Sequence, residues 1–505
     1  MTIPGLVAWA AEHHTGVWLD GDDGVVTFAQ LPNEVDSVAR GLVAAGVLPG
    51  DRVGVWAPNR CRWPIVALAA LRIGAVIVPM STRAQPPELV WITGRAMVRL
   101  IVAERGFRAD DPLAPLVAGG VRVLDLDGPD YDLWVAAGRD VPADALSWRP
   151  RPDDPSDVLF TSGTTGRAKG VRCTHAQAVR AYAAWADTVG LVAGDRMLGV
   201  VPFFHAFGYK AGWLACLIAG ATMVPHRVFD AGLVEARVRA ERITVLTGPP
   251  TLFHSLLRLP GRSGPLGVRL AVTGAASIPV SLIVAMREEL GIDEVHTGYG
   301  LTEACGVATL TRAGDPPAIV ASTSGRAIPG VEVVVVDAAG AAVAPGEPGE
   351  VLVRGYNVML GYLDDPEATA EVMAPGGWLR TGDVGVLDVA GNLRITDRIK
   401  DMLIVGGFKV FPAEVEAMML DLPGVADVAV VGAPDERLGE VPVAFVVSAP
   451  GEAVDAAVLT THCRARMSGY KVPRAFFAID ALPRNASGKV TRHTLRERVK
   501  EQGWT

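Results

Sequence analysis

The stretch "TSGTTGRAKG", Thr161 to Gly170, follows the apolar run "DVLF" and combines glycines, hydroxyl residues and one lysine. A strand that leads into such a loop directs backbone N–H groups and hydroxyls toward one point, and Lys169 adds a positive charge. The spacing differs from that of the nucleotide-hydrolase P-loop, because Gly170 stands where that motif requires a hydroxyl residue. The loop therefore indicates phosphate binding of another kind, although a flexible surface loop can have the same composition.

The composition limits the class of protein. The chain has 505 residues, a formal net charge of −8 and five scattered cysteines. This length predicts at least two domains, and the cysteine spacing indicates neither a disulfide framework nor a zinc site. A negative chain offers no field for nucleic acid, so an anionic ligand must be held by local groups. The apolar runs are too short for a membrane span and the N-terminus lacks the basic region of a secretory signal, so we expect a cytoplasmic protein.

Strand-like and helix-like runs alternate through most of the chain. "RVGVWA" and "GAVIVPM" have strand patterns, "NEVDSVARGLVAAG" has a helical pattern, and "ITVLTGPP" and "VRLAVTGAAS" are apolar strands that lead into loops. This alternation predicts an α/β fold with parallel sheets, in which ligands bind at the carboxyl ends of the strands. From about Gly330 onward, strands broken by turns predict an antiparallel β subdomain.

A change of pattern predicts a second domain near the C-terminus. The stretch "DRIKDMLIVGGFKVFPAEVEAMMLDL" begins at Asp397 and contains two short strands, a Gly-Gly turn and a helix that starts at Pro412. We therefore predict a large N-terminal α/β domain over residues 1–396 and a smaller α+β C-terminal domain over residues 397–505.

Four more stretches accompany the opening loop: "GYGLTEA" at Gly298, "LRTGDVG" at Leu379, "DRIKDMLIVGGFKVFPAEVE" at Asp397 and "PRNASGKVTR" at Pro483. In this order and at these separations, the five stretches resemble the adenylate-forming (AMP-binding) superfamily. "PFFHAFG" makes the chain most similar to its acid:CoA ligase branch. The resemblance implies a ligase of lipid or secondary metabolism that uses ATP, Mg²⁺ and coenzyme A. Such an enzyme converts a carboxylic acid to an acyl-adenylate and then to a CoA thioester, releasing pyrophosphate and AMP.

The resemblance also assigns nucleotide-binding roles to residues of this chain. Glu303 corresponds to the magnesium ligand, Thr302 to an α-phosphate contact and Tyr299 to the ring beneath adenine. Asp383 corresponds to the residue that binds the ribose hydroxyls, and Arg398 to a second ribose or phosphate contact. The residues assigned to the β- and γ-phosphates are Thr161, Ser162, Gly163, Thr164, Thr165 and Lys169, and those lining the adenine pocket are Gly274, Ala275 and Ala276. Taken alone, Glu303 could be a solvated turn residue and Asp383 a turn former.

Three further residues acquire roles in the two half-reactions. Lys489 corresponds to the lysine that bridges the acid and the α-phosphate during adenylation. Lys400 lies at the hinge about which the small domain turns between the half-reactions. Gly407 falls on the loop that lines the pantetheine tunnel. Without the resemblance, the two lysines would be surface charges and Gly407 part of a tight turn.

The sequence narrows the class of substrate but does not identify the acid. His205 corresponds to a residue near the acyl carboxylate, and "PFFHAFGYK" offers no acidic residue for a substrate amine, so we expect a plain carboxylic acid. The acyl pocket is assigned to Phe203–Lys210, Leu246–Thr251 and Thr297–Gly300. "FFHAFGYKAG", "RLAVTGAAS" and "NVMLGYLDDPEAT" resemble actinobacterial ligases for steroid-derived ring acids, which favours a bulky cyclic or terpenoid acid. A carrier protein in place of CoA, and the oligomeric state, stay open.

Overall fold

The computed structural model describes residues 1–161, 168–274, 278, 280–398, 401–405, 408–435, 437–452, 455–484 and 490–501, without the side chains of 143, 397, 398, 408 and 409. The chain divides into two compact units. The first comprises Met1–Val333 and Val353–Leu379, and the second comprises Val334–Leu352 and Arg380–Thr505. The domain boundary that the sequence predicts between residues 396 and 397 stays a prediction.

The strands are numbered in chain order. They are β1 Val17–Gly21, β2 Gly24–Thr27, β3 Arg52–Trp56, β4 Val76–Pro79, β5 Val98–Ala103, β6 Arg122–Asp125, β7 Pro155–Thr161, β8 Lys169–Thr174, β9 Arg196–Gly199, β10 Thr222–Pro225, β11 Val245–Gly248, β12 Leu270–Gly274, β13 Glu294–Tyr299, β14 Thr309–Leu310, β15 Arg326–Ala327, β16 Val331–Val336, β17 Pro348–Gly355, β18 Gly361–Tyr362, β19 Met373–Ala374, β20 Trp378–Leu387, β21 Leu393–Arg398, β22 Leu403–Val405, β23 Phe408–Val410, β24 Val425–Asp435, β25 Gly439–Ser448 and β26 Phe476–Ala478.

The α-helices are numbered in the same way. They are α1 Ile3–His13, α2 Leu31–Ala44, α3 Arg62–Arg72, α4 Pro86–Arg95, α5 Ala114–Ala118, α6 Gly128–Ala136, α7 His175–Val189, α8 Ala206–Gly208, α9 Ala215–Ala219, α10 Ala231–Ala240, α11 Pro250–Leu257, α12 Val280–Glu288, α13 Pro317–Ser322, α14 Pro366–Val372, α15 Pro412–Leu420, α16 Ala456–Arg466 and α17 Arg492–Glu501. A π-helical turn, Tyr209–Leu214, joins α8 to α9, and a 3₁₀ turn, Thr302–Ala304, follows β13.

Two sheets with parallel centres form the framework of the first unit. One has nine strands in the order β15-β14-β13-β12-β11-β9-β10-β1-β2, and the other has seven in the order β18-β8-β7-β4-β3-β5-β6. Antiparallel pairing is confined to the ends of these sheets, at β1–β2, β13–β14–β15 and β7–β8–β18. The α/β prediction is thereby confirmed.

Side-chain burial explains why these segments adopt their structures. All four residues of β4 are buried, as expected of a parallel strand covered by helices on both faces. Helix α2 buries one stripe, whose members recur three or four positions apart, whereas α3 is buried from Trp63 to Leu71 and therefore lies inside the core. The sequence patterns "RVGVWA", "GAVIVPM" and "NEVDSVARGLVAAG" predict β3, β4 and α2 correctly.

The parallel register brings several loops to one sheet edge. Strands β11, β12 and β13 are neighbours, with Gly248 opposite Thr273 and Gly274 opposite Gly298. Their carboxyl ends therefore lie side by side, and the loops that follow them begin at the same edge. In open α/β sheets this edge is where ligands bind.

The remaining two sheets are largely antiparallel. A five-stranded sheet has the order β16-β17-β20-β19 with β21 on β20, as the turn-rich pattern after Gly330 predicts. Within the second unit, another five-stranded sheet has the order β23-β22-β25-β24 with β26 on β25. Side chains of α15, α16 and α17 complete the apolar core of that sheet, and α15 begins at Pro412 as predicted.

Two further observations concern the whole described chain. Within the described ranges of the chain, no helix combines the length and apolarity that crossing a bilayer requires. All five cysteines are buried free thiols, and each is at most 2% exposed.

Candidate active site

Strands β7 and β8 hold both ends of the predicted phosphate loop. They pair antiparallel, and Thr161 at the end of β7 lies opposite Lys169 at the start of β8. Trp91 Nε1 donates a hydrogen bond to the Ala168 carbonyl, 3.1 Å away, which fixes the chain just before Lys169. The loop residues Ser162, Gly163, Thr164 and Thr165 lie outside the described residues. The two ends of the loop, Thr161 and Lys169, therefore lie side by side, as a loop that closes around an anion requires.

Glu303 lies on the 3₁₀ turn after β13, and the chain that follows β17 holds it in place. The Met359 N–H donates to the Glu303 carbonyl at 2.9 Å, and the Tyr362 hydroxyl donates to Glu303 Oε1 at 2.9 Å. The Lys169 Nζ atom lies 5.0 Å from the centroid of the Tyr362 ring. The structure thus brings the predicted magnesium ligand and the predicted phosphate-binding lysine to the same tyrosine.

The predicted adenine-binding segment depends on close backbone approach. A Cβ atom at Gly274 would lie 2.6 Å from the Gly298 carbonyl oxygen, and one at Gly300 would lie 2.2 Å from the Gly306 carbonyl oxygen. Side chains at these two positions would therefore push the strand ends apart. Tyr299 closes β13, where its carbonyl accepts a hydrogen bond from the Ala308 N–H at 2.9 Å.

Tyr299 and the neighbouring Thr302 are both partly exposed, so a ligand can reach their side chains. Ala275 and Ala276 lie outside the described residues. Their role in the adenine pocket stays a prediction.

His205 caps the short helix α8. Its Nδ1 accepts a hydrogen bond from the Phe207 N–H at 3.2 Å, so in the neutral ring the proton is on Nε2. The preceding segment is held by the buried Asn59, whose Oδ1 accepts from the Phe203 N–H at 2.7 Å. Asn59 Nδ2 donates to the Val201 carbonyl at 2.9 Å. The histidine is therefore oriented by its own helix and by the loop between β3 and α3, which contains Asn59.

A fully buried ion pair connects the segment after His205 with the phosphate-loop strand. Lys210 Nζ lies 3.0 Å from Asp157 Oδ1, and both side chains are 0% exposed. The same ammonium donates to Cys305 Sγ at 3.3 Å, two residues after Glu303. Burial disfavours the charged form of Lys210, but the Asp157 carboxylate, together with the nearby Cys173, Cys305 and Tyr209, outweighs this effect, and the pKa of Lys210 is raised. The pair ties β7, the π-helical turn and the Glu303 turn together.

The segment after β17 also holds the Glu303 turn in place through hydrogen bonds. The Asn357 side chain is fully buried, and its Nδ2 donates to the Val307 carbonyl at 2.8 Å. One residue further on, the Val358 carbonyl accepts from Gln177 Nε2 at 2.5 Å. Gln177 also completes a capping box with Thr174 at the start of α7. These bonds fix the Glu303 turn relative to α7.

The predicted ribose-binding residue belongs to the second unit. Asp383 lies on β20, is only 4% exposed and stands opposite the backbone of Arg398 in β21. Its N–H donates to Thr381 Oγ1 at 3.1 Å, and Gly382 between them has a φ of +69°, which favours glycine. The Arg398 side chain lies outside the described part of the chain, as do Lys400, Gly407 and Lys489, and the roles of these residues stay predictions.

Sequence reasoning missed several residues that organise the site. Tyr362, Asn357 and Asn59 carry no pattern of their own, because each acts on a segment far along the chain. Asp157 and Lys210 did leave a signal. The aspartate stands within the buried strand "DVLF" and the lysine directly precedes a long apolar run, and isolated opposite charges in apolar surroundings indicate a buried pair.

The arrangement suits a phosphate group that binds together with a hard cation. Lys169 supplies positive charge, and Glu303 supplies carboxylate oxygen, the ligand type that Mg²⁺ prefers. Among residues whose placement is described, no cluster of three His, Cys, Asp or Glu side chains could hold a metal by itself. A single carboxylate completed by phosphate oxygens is the usual way in which Mg²⁺ binds nucleotides.

Comparison with known proteins agrees with this chemistry. The family model described as "AMP-binding enzyme" matches residues 6–363, and that described as "AMP-binding enzyme C-terminal domain" matches residues 414–489. A ligase from Mycobacterium tuberculosis, named 3-[(3aS,4S,7aS)-7a-methyl-1,5-dioxo-octahydro-1H-inden-4-yl]propanoyl:CoA ligase, is 46% identical over 95% of each chain. A protein of the same name from Rhodococcus jostii is 46% identical over 99% of each chain.

The solved structures show the same fold. The anthranilate CoA ligase AuaEII in complex with anthranoyl-AMP superimposes with a TM-score of 0.90 and 27% identity, covering 100% of this chain and 98% of that one. The predicted family, fold and cofactors are thereby confirmed. The chain belongs to the AMP-binding enzyme family, as an AMP-forming acid:CoA ligase that uses ATP, Mg²⁺ and coenzyme A.

Proposed function

We propose that this acid:CoA ligase acts on a bulky fused-ring keto acid, of the kind named for its two 46% identical relatives. That name describes a fused six- and five-membered ring system with two ketones and a propanoyl side chain. The observation that carries the proposal is the extent of the similarity, which covers 95% or more of both chains in each comparison. An acid of this shape is neither linear nor planar, and it suits the bulky cyclic substrate that the sequence favours.

The proposed chemistry has two steps. In the first, a carboxylate oxygen of the acid attacks the α-phosphorus of ATP and the bond to the pyrophosphate oxygen breaks. In the second, the CoA thiolate, formed when the thiol loses its proton, attacks the acyl carbon and the bond to the AMP oxygen breaks. The first step brings two anions together, so it needs cationic groups aimed at the charge that develops in the transition state. Lys169 and Glu303 both contact Tyr362, and this supports a role for Lys169 in holding the departing pyrophosphate.

Glu303 is the proposed magnesium ligand, and its surroundings suit that role. A carboxylate can accept about four hydrogen bonds or metal contacts, so the bond from Tyr362 leaves capacity for a cation. When bound, Mg²⁺ would supply positive charge to the phosphate oxygens. Thr302, adjacent to Glu303 on the same turn, is proposed to contact the α-phosphate, and Tyr299 to lie against adenine.

The acyl site is proposed around His205, whose Nδ1 accepts a hydrogen bond from the Phe207 N–H. His205 is proposed to lie near the acid carboxylate and to help orient it. Lys210 was expected in the same pocket, but its ammonium is buried against Asp157 and is assigned a structural role instead. Asp383 is proposed to bind the ribose hydroxyls, and Lys489 to bridge the two anions during adenylation.

A panel of acids tests the substrate. Pyrophosphate release and CoA thioester formation should be measured separately for the fused-ring keto propanoate, a linear acid of equal carbon number and an aromatic acid. We expect kcat/KM to be at least tenfold higher for the fused-ring acid in both assays. A linear or aromatic acid that is used equally well would contradict the proposal.

A matched pair of variants tests the site itself. Glu303→Gln removes the carboxylate charge but keeps the shape, and it should lower acid-dependent pyrophosphate release by roughly 10²-fold or more. Glu332→Gln is the control, because this carboxylate is 60% exposed and pairs with Arg354. Equal activity of the two variants would contradict the role of Glu303.

A cytoplasmic location is proposed as well. It suits an enzyme that consumes ATP and CoA, and it suits five cysteines that are all free thiols, since reducing compartments keep thiols unpaired. Fractionation of the source cells, followed by immunodetection, tests this directly. Recovery of the protein outside the cytoplasmic fraction would contradict it.

A further inference from the structure

We propose that Tyr362 is a positioning residue of the ATP site, which holds the Glu303 carboxylate and the Lys169 ammonium in a fixed relation so that the metal and the phosphates bind together. The inference rests on the proposed roles of Glu303 and Lys169. Neither sequence motif contains Tyr362, which lies in "NVMLGYLDDPEAT", a stretch to which the proposed mechanism assigns no function.

The geometry places Tyr362 between the two charged groups. Its hydroxyl donates to Glu303 Oε1 at 2.9 Å, and its ring faces Lys169 Nζ at 5.0 Å from the centroid. A hydrogen bond to a carboxylate is charge-assisted and directional, so it restricts the orientation of the acid group. A cation over an aromatic ring is attracted by the negative face of the ring. One side chain therefore restrains the carboxylate through its hydroxyl and the ammonium through its ring.

The backbone of Tyr362 is fixed as firmly as its side chain. β18 pairs antiparallel with β8, so that Tyr362 lies opposite Val171, two residues after Lys169. The Tyr362 N–H donates to Thr369 Oγ1 at 2.9 Å. Gly361 has a φ of +126°, and a Cβ there would lie 2.9 Å from Thr369 Cγ2. The tyrosine is thus anchored to the strand that carries the lysine it faces.

Removing the Tyr362 hydroxyl should weaken metal binding, because this hydroxyl orients the Glu303 carboxylate. Groups that hydrogen-bond to a metal ligand typically change metal affinity 10- to 100-fold when they are removed. Tyr362→Phe removes only the hydroxyl, whereas Tyr362→Leu removes the ring as well. The first variant should weaken metal binding alone, and the second should also weaken the hold of Lys169 on the phosphates.

The experiment measures binding rather than turnover. Mn²⁺, which electron paramagnetic resonance detects, is titrated into the full-length enzyme with α,β-methylene-ATP and no acid, and analogue binding is also measured with EDTA present. For Tyr362→Phe we expect Mn²⁺ affinity to fall about tenfold, with unchanged analogue affinity in EDTA and an unchanged unfolding temperature. For Tyr362→Leu, analogue affinity in EDTA should fall too.

Tyr356→Phe is the matched control. Its hydroxyl also donates to the protein, to the Pro329 carbonyl at 3.2 Å, and its ring also faces a cation, with the Arg180 guanidinium carbon 3.8 Å from the centroid. It should bind Mn²⁺ like the wild type. A general effect of losing a tyrosine hydroxyl beside a cation would appear in both variants.

A double-mutant cycle with Glu303→Gln separates the remaining explanations. If Tyr362 acts through Glu303, Tyr362→Phe should cause no further loss of Mn²⁺ affinity in the Glu303→Gln background. Wild-type Mn²⁺ affinity in Tyr362→Phe, or additive losses in the double variant, would overturn the inference. So would weaker analogue binding in EDTA for Tyr362→Phe. Failure of the wild type to bind Mn²⁺ with the analogue would overturn the proposed function as well.

Discussion

Replacing Lys210 by methionine should destabilise the first unit, because it leaves the Asp157 carboxylate buried without its cation. The two charged atoms are 3.0 Å apart and both side chains are fully buried. Removing one member of a buried ion pair costs about 3–5 kcal/mol. A loss of 1 kcal/mol lowers the unfolding midpoint by about 2–4 °C in a domain of 150–250 residues, and by less in a larger one. We therefore expect Lys210→Met to unfold roughly 4–7 °C below the wild type.

Removing both charges should restore most of this stability. The Ser156 hydroxyl donates to Asp157 Oδ2 at 2.7 Å, and an asparagine oxygen could accept the same bond. Because neutral replacements of buried ion pairs are often tolerated, Asp157→Asn combined with Lys210→Met should recover more than half of the lost stability. Arg151→Met is the control, since this arginine is 84% exposed and its pair with Asp154 contributes at most about 1 kcal/mol.

Calorimetry of the full-length variants gives the unfolding temperatures, and acid-dependent ATP–pyrophosphate exchange below the transition gives the activity. Exchange should fall in Lys210→Met, because the ammonium also contacts Cys305 beside the Glu303 turn. An unfolding temperature equal to that of the wild type would refute the reasoning. A double variant as unstable as the single one would refute it too, because the unpaired charge would then not be the cause.

Three further predictions concern residues assigned by resemblance. Asp383→Ala should weaken ATP binding by about 1.5–3 kcal/mol, the value of hydrogen bonds to a charged group, while the KM for the acid stays constant; an unchanged KM for ATP would make Asp383 a turn residue. Lys489→Ala should slow adenylation by roughly 10²–10³-fold yet still convert a supplied acyl-adenylate to thioester, and equal loss in both assays would contradict the assignment. Gly407→Leu should retain pyrophosphate exchange and the wild-type unfolding temperature while thioester formation falls at least tenfold, whereas parallel loss of both activities would indicate a strained turn.

The fold could be predicted because its signals are local. Alternating strand and helix patterns identify β3, β4 and α2, and Pro412 identifies the start of α15. Burial on both faces of the parallel strands leaves continuous apolar runs, which can be recognised without knowing their neighbours. The order of strands within each sheet could not be predicted, because it depends on contacts between segments far apart in the chain.

Residues of the candidate site could be predicted from the sequence only where they belong to a recognisable motif. Thr161, Lys169, Glu303 and Tyr299 lie in such motifs, and the structure brings Lys169 and Glu303 to one place. The residue that joins them, Tyr362, is 59 positions from Glu303, and no periodicity or spacing relates the two. Side-chain partnerships of this kind require three-dimensional coordinates.

The same limit applies to Lys210. Its place after His205 indicated a pocket residue, whereas its side chain points into the core toward Asp157. Position along the chain could not show the direction of the side chain. The isolated charge before an apolar run was the only available sign that it had a buried partner.

The burial of every cysteine has a practical consequence for an enzyme whose co-substrate is itself a thiol. With all five cysteine residues at most 2% exposed, the folded protein presents no accessible thiol that could form a mixed disulfide with oxidised CoA. An aromatic disulfide reagent added to samples of a reaction should therefore react with the CoA thiol alone. Its signal should fall by one equivalent for each equivalent of thioester formed. Rapid labelling of the native enzyme without CoA would contradict this, while labelling that appears only on unfolding would make the cysteines an internal probe of stability.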